Sequence, residues 1–404
     1  IQGDIDVGPR GSIANNFVLT TDSSHLEADV QLRYSHWKRM STFCDSVFIY
    51  AHLKPGTELS MATAAYWAPV LWGMDTKARI TGTVAGPVAD LHCADMAVFF
   101  GNGTQLFFDG SVTGLPNIHN TVFDVQVERL TTHYDDLCAV RHPDKMRQVK
   151  VLPLLKEMGQ TDIVASFYGK VNDFRAYAHV NSRLGLLEVE GTMKAPRIGA
   201  PYSYKGEVSS PAFQVSRIAA NEWVTASGLH LKVSGHDFNP RTMDATLEGD
   251  LHNTTFRGSR LAGGTLYADL RHGIAQARMQ VDDTLVRLDL NAHANYTTRQ
   301  PFCDVDITLA HADLKALRLW EGGDHDRLGL STRLQGQAQM DLDEPHPIES
   351  LDADVRLTGT RLLRDDDILD LDDISFTATR RYGRKRLRLL SGIADCDVSG
   401  YFDY

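Results

Sequence analysis

The sequence predicts an all-β protein: an elongated, curved, mostly antiparallel sheet forming a hydrophobic trough, with a few short helices. Three observations predict it. Apolar and polar residues alternate along most of the 404-residue chain, an apolar–any–Gly tripeptide recurs within the alternating stretches, and segments of helical composition are scarce.

The alternation is plain in LEADVQLRY (26–34), where Leu26, Ala28, Val30, Leu32 and Tyr34 share one parity and charged or amide residues take the other. Successive side chains of a strand point to opposite sides, so this is a strand with one greasy and one wet face. The same period of two runs through TKARITGTV (76–84), TDIVASFYG (161–169), TMDATLEGDL (242–251), TLVRLDLNAHA (284–294), DVDITLAHA (304–312), GLSTRLQGQAQMDL (329–342) and LDADVRLTGTRL (351–362). Gly, Asn and Asp between such runs argue for antiparallel neighbours.

The tripeptide appears as ITG (80–82), FYG (167–169), VEG (189–191), LEG (247–249), LQG (334–336), LTG (357–359) and at other places. Gly inside a strand marks a bend, a bulge or a close backbone approach. Its irregular spacing is too loose for a propeller or a leucine-rich array. Helical composition is confined to LSMATAAYWAPVLW (59–72) and LPLLKEMG (152–159), with a single turn expected in HADLKALRLW (311–320). The organisation expected is two β segments, 1–141 and 161–404, continuing one sheet across a short helical connection at 142–160.

Composition narrows the function. Hydrophobic content of 43% and charged content of 23% belong to a folded protein, and the net charge of -11 argues against a nucleic-acid partner. The basic run RRYGRKRLR (380–388) reads as the wet faces of a hairpin. Five dispersed cysteines with no CxxC pair give neither a zinc site nor a disulfide framework. The chain opens at Ile1 without a secretory signal, and its most apolar run (61–74) is too short to span a bilayer, so any anchor is expected outside it.

Catalytic motifs are missing: there is no HExxH, GxSxG, Walker loop or GxGxxG in a βαβ setting. THYDDLCAVRHPD (132–144) gathers His133, Asp135, Asp136, Cys138 and His142, and GGDHD (322–326) offers Asp324, His325 and Asp326. Neither has ligand spacing on a regular element, so both are expected to be solvated loop residues. No catalytic, cofactor or metal residue is expected.

In their order, several stretches resemble the TamB family, the translocation and assembly module proteins of the Gram-negative envelope, in its Bacteroidota form. They are ITGTVAGPVADLHCADMAVFFGNGTQLFFDGSVTGLPNIHNTVFDVQVERLTTHYDDL (80–137), LTTDSSHLEADVQLRY (19–34), ASFYGKVNDFRAYAHVNSRLGLLEVEGTM (165–193) and LHNTTFRGSRLAGGTLYADL (251–270). DVDITLAHADLKALRL (304–319) resembles units of the wider AsmA-like group.

The resemblance implies a β-taco or repeating β-groove. It also implies a non-enzymatic periplasmic protein anchored in the inner membrane by a segment outside this chain. Such a protein carries phospholipid between the inner and outer membranes and assists outer-membrane protein assembly and secretion with a TamA-type barrel. Phospholipid acyl chains are the expected ligand. The expected groove residues are Ile163, Ala165, Phe167, Leu187, Val189, Leu247, Leu266, Leu288, Leu290, Val305, Ile307, Leu309, Leu334 and Leu357. The competing expectations are an adhesin or scaffold with a sealed β-sandwich core, and a carbohydrate-active β-solenoid enzyme. Five dispersed Trp speak against the latter.

Overall fold

The computed structural model describes residues 1–64, 76–139, 154–219, 223–239, 242–298, 300–320, 327–341, 346–392 and 394–402. Strand accounts for 67% of the chain and helix for 8%, and the pairing is antiparallel. No helix among the described residues is long and apolar enough to cross a membrane. Two compact units, Ile1–Ala200 and Pro201–Tyr404, divide the chain.

Unit 1 is a meander. Its strands are β1 (Gln2–Gly8), β2 (Gly11–Thr20), β3 (His25–Arg33), β4 (Phe48–Leu53), the short β5 (Glu58–Ser60), β6 (Lys77–Gly86), β7 (Asp90–Phe100), β8 (Thr104–Thr113), β9 (Val122–Thr132), β10 (Thr161–Lys170), β11 (Asp173–Ser182) and β12 (Gly185–Lys194). Each long strand pairs with the next; β4 and β5 share both β3 and β6 as neighbours. The segment 142–160 lies inside this unit. Its described part holds the helix Leu154–Met158, and β9 pairs directly with β10 on either side of it.

Unit 2 repeats the plan with β13 (Ser203–Phe213), β14 (Val224–His236), β15 (Asp244–Phe256), β16 (Ser259–Arg271), β17 (Ile274–Asp282), β18 (Val286–Asn295), β19 (Phe302–Asp313), β20 (Leu328–Gln339), β21 (Asp352–Arg364), β22 (Asp367–Leu371), β23 (Ile374–Arg381), β24 (Arg384–Leu390) and β25 (Cys396–Gly400). One irregularity interrupts it: β21 pairs with β22 over Thr360–Arg364 and with β23 over Ala353–Leu357.

Local chemistry explains the turns. Arg257-Gly258, His272-Gly273 and Tyr382-Gly383 each join two strands with both residues at positive φ, between 46° and 82°. That is the two-residue turn whose twist matches a hairpin, and its second position suits Gly. Bulges interrupt the ladders at Ala14/Phe17, Thr81/Thr83 and Cys93/Met96. At Gly82 (φ +136°) an added Cβ would lie 2.9 Å from both Asp95 O and Met96 Cα, and side chains rarely adopt that φ, so the bulge requires Gly. An extra residue in a bulge leaves a backbone N–H without a ladder partner. Aspartates on the next strand supply one: Asn16 N–H donates to Asp29 (2.8 Å) and Asp95 N–H to Asp109 (2.7 Å).

The helical expectations resolve into single turns. Met61–Ala64 and Leu154–Met158 are short helices, and the rest of 59–72 lies beyond the described residues. At 311–320, β19 runs to Asp313, and one turn follows, closed by Leu317 N–H to Asp313 O (2.9 Å). The Asp313 carboxylate caps it by accepting from the Lys315 and Ala316 N–H groups.

A compact globule of this mass exposes about 16,000 Å², and two separate compact halves about 19,000 Å². This chain exposes 24,689 Å².

Candidate functional site

Directly opposed residues of an antiparallel pair share a face, so register allows each face to be traced strand by strand. In unit 2, one row runs Val208, Leu231, Gly249, Leu266, Met279, Leu290, Ile307, Leu334, Leu357 and Ile374. A second row, two residues along, runs Gly206, Val233, Leu247, Ala268, Ala277, Ala292, Val305, Gly336, Val355, Phe376, Leu389 and Cys396. No charged side chain enters either row. The intervening parity is wet throughout: Glu207, Lys232, Glu248, Tyr267, Arg278, Asn291, Asp306, Gln335, Arg356 and Ser375.

Unit 1 is built the same way. Ile5, Ala14, Val30, Ala51, Val84, Cys93, Gly110, Val125, Phe167, Ala176 and Gly191 form one unbroken row. All five expected groove residues of this unit share its face. Ile163 opposes Val180, which opposes Leu187; Ala165 opposes Ala178, which opposes Val189; Phe167 lies in the row itself. The nine expected in unit 2 likewise share one face: seven lie in the two rows, and Leu288 opposes Leu309 beside them.

The first row of unit 2 is partly exposed: none of its apolar side chains reaches the buried class. Gly249 marks a place where strands crowd, since a Cβ there would come 2.0 Å from His230 O. Burial pushes the pKa of the Cys93 thiol up in the unit 1 row, and Cys396 ends the second row of unit 2.

One rim of the unit 2 face is closed by apolar packing. Leu261, Ala312 and Leu317 form a buried cluster against Phe256, Leu285, Val286 and Leu309, so the turn after β19 folds onto the face. A cavity of about 230 Å³ lies beneath, lined by Leu251, Phe256, Met279, Val281, Leu288 and Leu317 among others. An apolar cavity of ~150 Å³ already stays dry and admits a benzene-sized molecule. Of these residues only Leu288 was legible as a groove position. Met279 and Val281 continue Ala275 and Ala277 in period two, a weak signal because alanine marks a face poorly; Leu317 is brought in by the turn alone.

In unit 1 the turn between β7 and β8 is closed by polar groups. Thr104 and Thr132 oppose one another through their hydroxyls (2.9 Å), and the buried Asp136 carboxylate lies against them. It accepts from the N–H groups of Asn102, Gly103 and Thr104 and from the Thr104 hydroxyl, at 2.8–3.1 Å. Burial raises its pKa, but these hydrogen bonds outweigh burial and hold it below the ordinary carboxylate value. This corrects the expectation of a solvated loop: Asp136 is a structural anchor for the Gly101–Gly103 turn. His142, Asp324, His325 and Asp326 lie outside the described residues. Among the described residues, no group of three or more His, Cys, Asp or Glu is placed to hold a metal ion.

No family model, curated protein or solved structure matches the chain.

Proposed function

We propose that this chain is a non-enzymatic lipid conduit of the TamB type, its apolar rows carrying phospholipid acyl chains across the periplasm while the wet parity faces water. In the full-length protein it would be anchored in the inner membrane, work with a TamA-type outer-membrane barrel, and assist outer-membrane protein assembly. The observation supporting this reading is the row from Val208 to Ile374, ten strands wide, free of charge and partly exposed along its length.

The energetics suit passage. A methylene removed from water gains ~0.8 kcal/mol, so even a partly covered chain is held against loss to solvent. Leaving a bilayer for the floor exchanges one apolar environment for another, so the net change is near zero and nothing traps the lipid. No polar group in the rows fixes a headgroup at one strand.

The test is lipid co-purification with the intact chain, read by mass spectrometry after extraction, beside rescue of an envelope-permeability defect. The wild-type chain should carry phospholipid, and Ile307→Asp should carry less and rescue poorly while staying folded. A lipid-free wild-type chain, or full rescue by folded Ile307→Asp, would sink the conduit.

A further inference from the structure

The basic run RRYGRKRLR folds as the hairpin β23–β24, and its alternation has a consequence on the face opposite the apolar rows. Leu387 and Leu389 take the apolar side, so Arg384, Arg386 and Arg388 stand together on the wet side. Arg381 opposes Arg384 across the turn and adds a fourth guanidinium. These arginines line a hollow of about 820 Å³ with the hydroxyls of Thr377, Thr379 and Ser399. Among its described lining residues the one carboxylate is Asp397, which Arg386 engages through two hydrogen bonds and which Arg388 opposes directly across the β24–β25 pair. Arg384 donates to Ser399 Oγ, and no acid within ion-pair distance of Arg381 or Arg388 is found among the described residues. The hollow therefore has a surplus of positive charge and many N–H and O–H donors, the chemistry that receives phosphate oxygens.

The tip carries a second, independent signal. Tyr382 is 103% exposed and sits at φ 52°, a conformation that favours Gly or Asn, so a bulky ring is held in water at a backbone cost. Tyr401, 81% exposed, stands beside it: a Cβ on Gly383 would lie 3.8 Å from Tyr401 Cε1. Tyrosine rings flanked by arginines fit the boundary between headgroups and acyl chains, where an apolar body and a polar tip are both satisfied. A free phosphate would use the arginines and ignore the rings.

We propose that the β23–β24 hairpin docks on the surface of a bilayer containing anionic phospholipid, with the arginines on phosphates and Tyr382 and Tyr401 in the interface. This goes beyond the acyl-chain reading and is independent of it, because the two surfaces lie on opposite faces of the sheet.

The experiment is sedimentation of the full chain with vesicles of phosphatidylglycerol and phosphatidylcholine, and with vesicles of phosphatidylcholine alone. The chain should bind the anionic vesicles preferentially and be released as salt shortens the Debye length from ~10 to ~3 Å. Arg381→Glu/Arg384→Glu/Arg388→Glu should lower binding tenfold or more, on the order expected for charges at an anionic surface. Tyr382→Ser/Tyr401→Ser should lower it by a smaller factor, and Ile307→Asp should leave it unchanged, which separates this result from the fate of the groove. The salt titration needs no variant, so a misfolded substitution does not remove the test. Failure to bind, equal binding to neutral vesicles, or undiminished binding by the charge-reversed chain overturns the proposal. So does displacement by inorganic phosphate with the tyrosine variant binding like wild type, which would mark a free-phosphate site.

Discussion

The two units share one way of building a face, and a turn at the end of each is closed by different chemistry. In unit 1 the closure is a buried carboxylate collecting three backbone N–H groups and a hydroxyl. In unit 2 it is a leucine turn laid over an apolar cluster with a cavity beneath. A hydrogen-bonded closure has fixed geometry and depends on charge. An apolar closure is indifferent to pH and leaves volume that a ligand could occupy. The difference separates a charge-dependent closure from an apolar one.

The largest effect expected is from Asp136→Ala. Three N–H donors lose a charged acceptor, and hydrogen bonds to charged groups are worth roughly 1.5–3 kcal/mol each, with incomplete additivity. A loss of about 3–5 kcal/mol is expected in urea unfolding, with hydrogen exchange accelerated across β7–β9 and unaltered in β16–β19. Exchange that rises uniformly would erase the distinction between the two closures.

Leu317→Ala comes next. Truncating a buried leucine costs about 2–5 kcal/mol, and the existing cavity places this site toward the lower end. Its effect should fall on β16–β19 and be the same at neutral and acid pH. A pH-dependent loss would show that the apolar rim hides a charge.

Acid should act on unit 1 selectively. The folded pKa of Asp136 is depressed, so its contribution is complete above the unfolded value near 3.8 and is lost as pH falls through the lower folded value. Stability of β7–β9 should therefore fall between about pH 4 and the acid limit, and Asp136→Asn should flatten that dependence. Equal slopes in the two units would break the comparison.

Floor charges should cost less than either turn substitution. Ile307→Asp is partly exposed and can stay hydrated, so about 1–2 kcal/mol is expected in thermal unfolding. Leu288→Arg should cost more, because Leu288 also lines the cavity. Thr308→Asp on the wet parity should be nearly silent. The smallest effect is expected for Arg333→Ala, which breaks a solvent-screened exposed pair with Asp306 and should leave the thermal midpoint nearly unchanged.

Much of this was legible in the chain itself. Leu266, Leu290, Ile307, Leu334 and Leu357 announce their face by parity, and register then sets them side by side without a slip. The tripeptide glycines were legible for the same reason: in LEG, Gly249 shares the parity of Leu247 and falls where strands approach. The anchoring by Asp136 was not, because its partners are backbone groups more than thirty residues away and nothing local separates it from Asp135. Nor were the bulge aspartates Asp29 and Asp109, which look like ordinary wet-face residues until the opposing strand is known.

The sequential pairing has a consequence for how such a chain can change. Most strands touch only the strand before and the strand after, so each hairpin answers to its immediate neighbours and to little else. Loop-closure entropy is incurred over short distances, and stability approximates a sum of local terms rather than one indivisible quantity. A hairpin could be inserted or deleted at a two-residue turn such as His272-Gly273 with the remaining registers intact. Each insertion would widen the face by two strand spacings, about 9.5 Å. Width is thus the property this architecture can alter most cheaply, and parity is the one it cannot alter at all, since a single-residue slip would turn the greasy rows toward water.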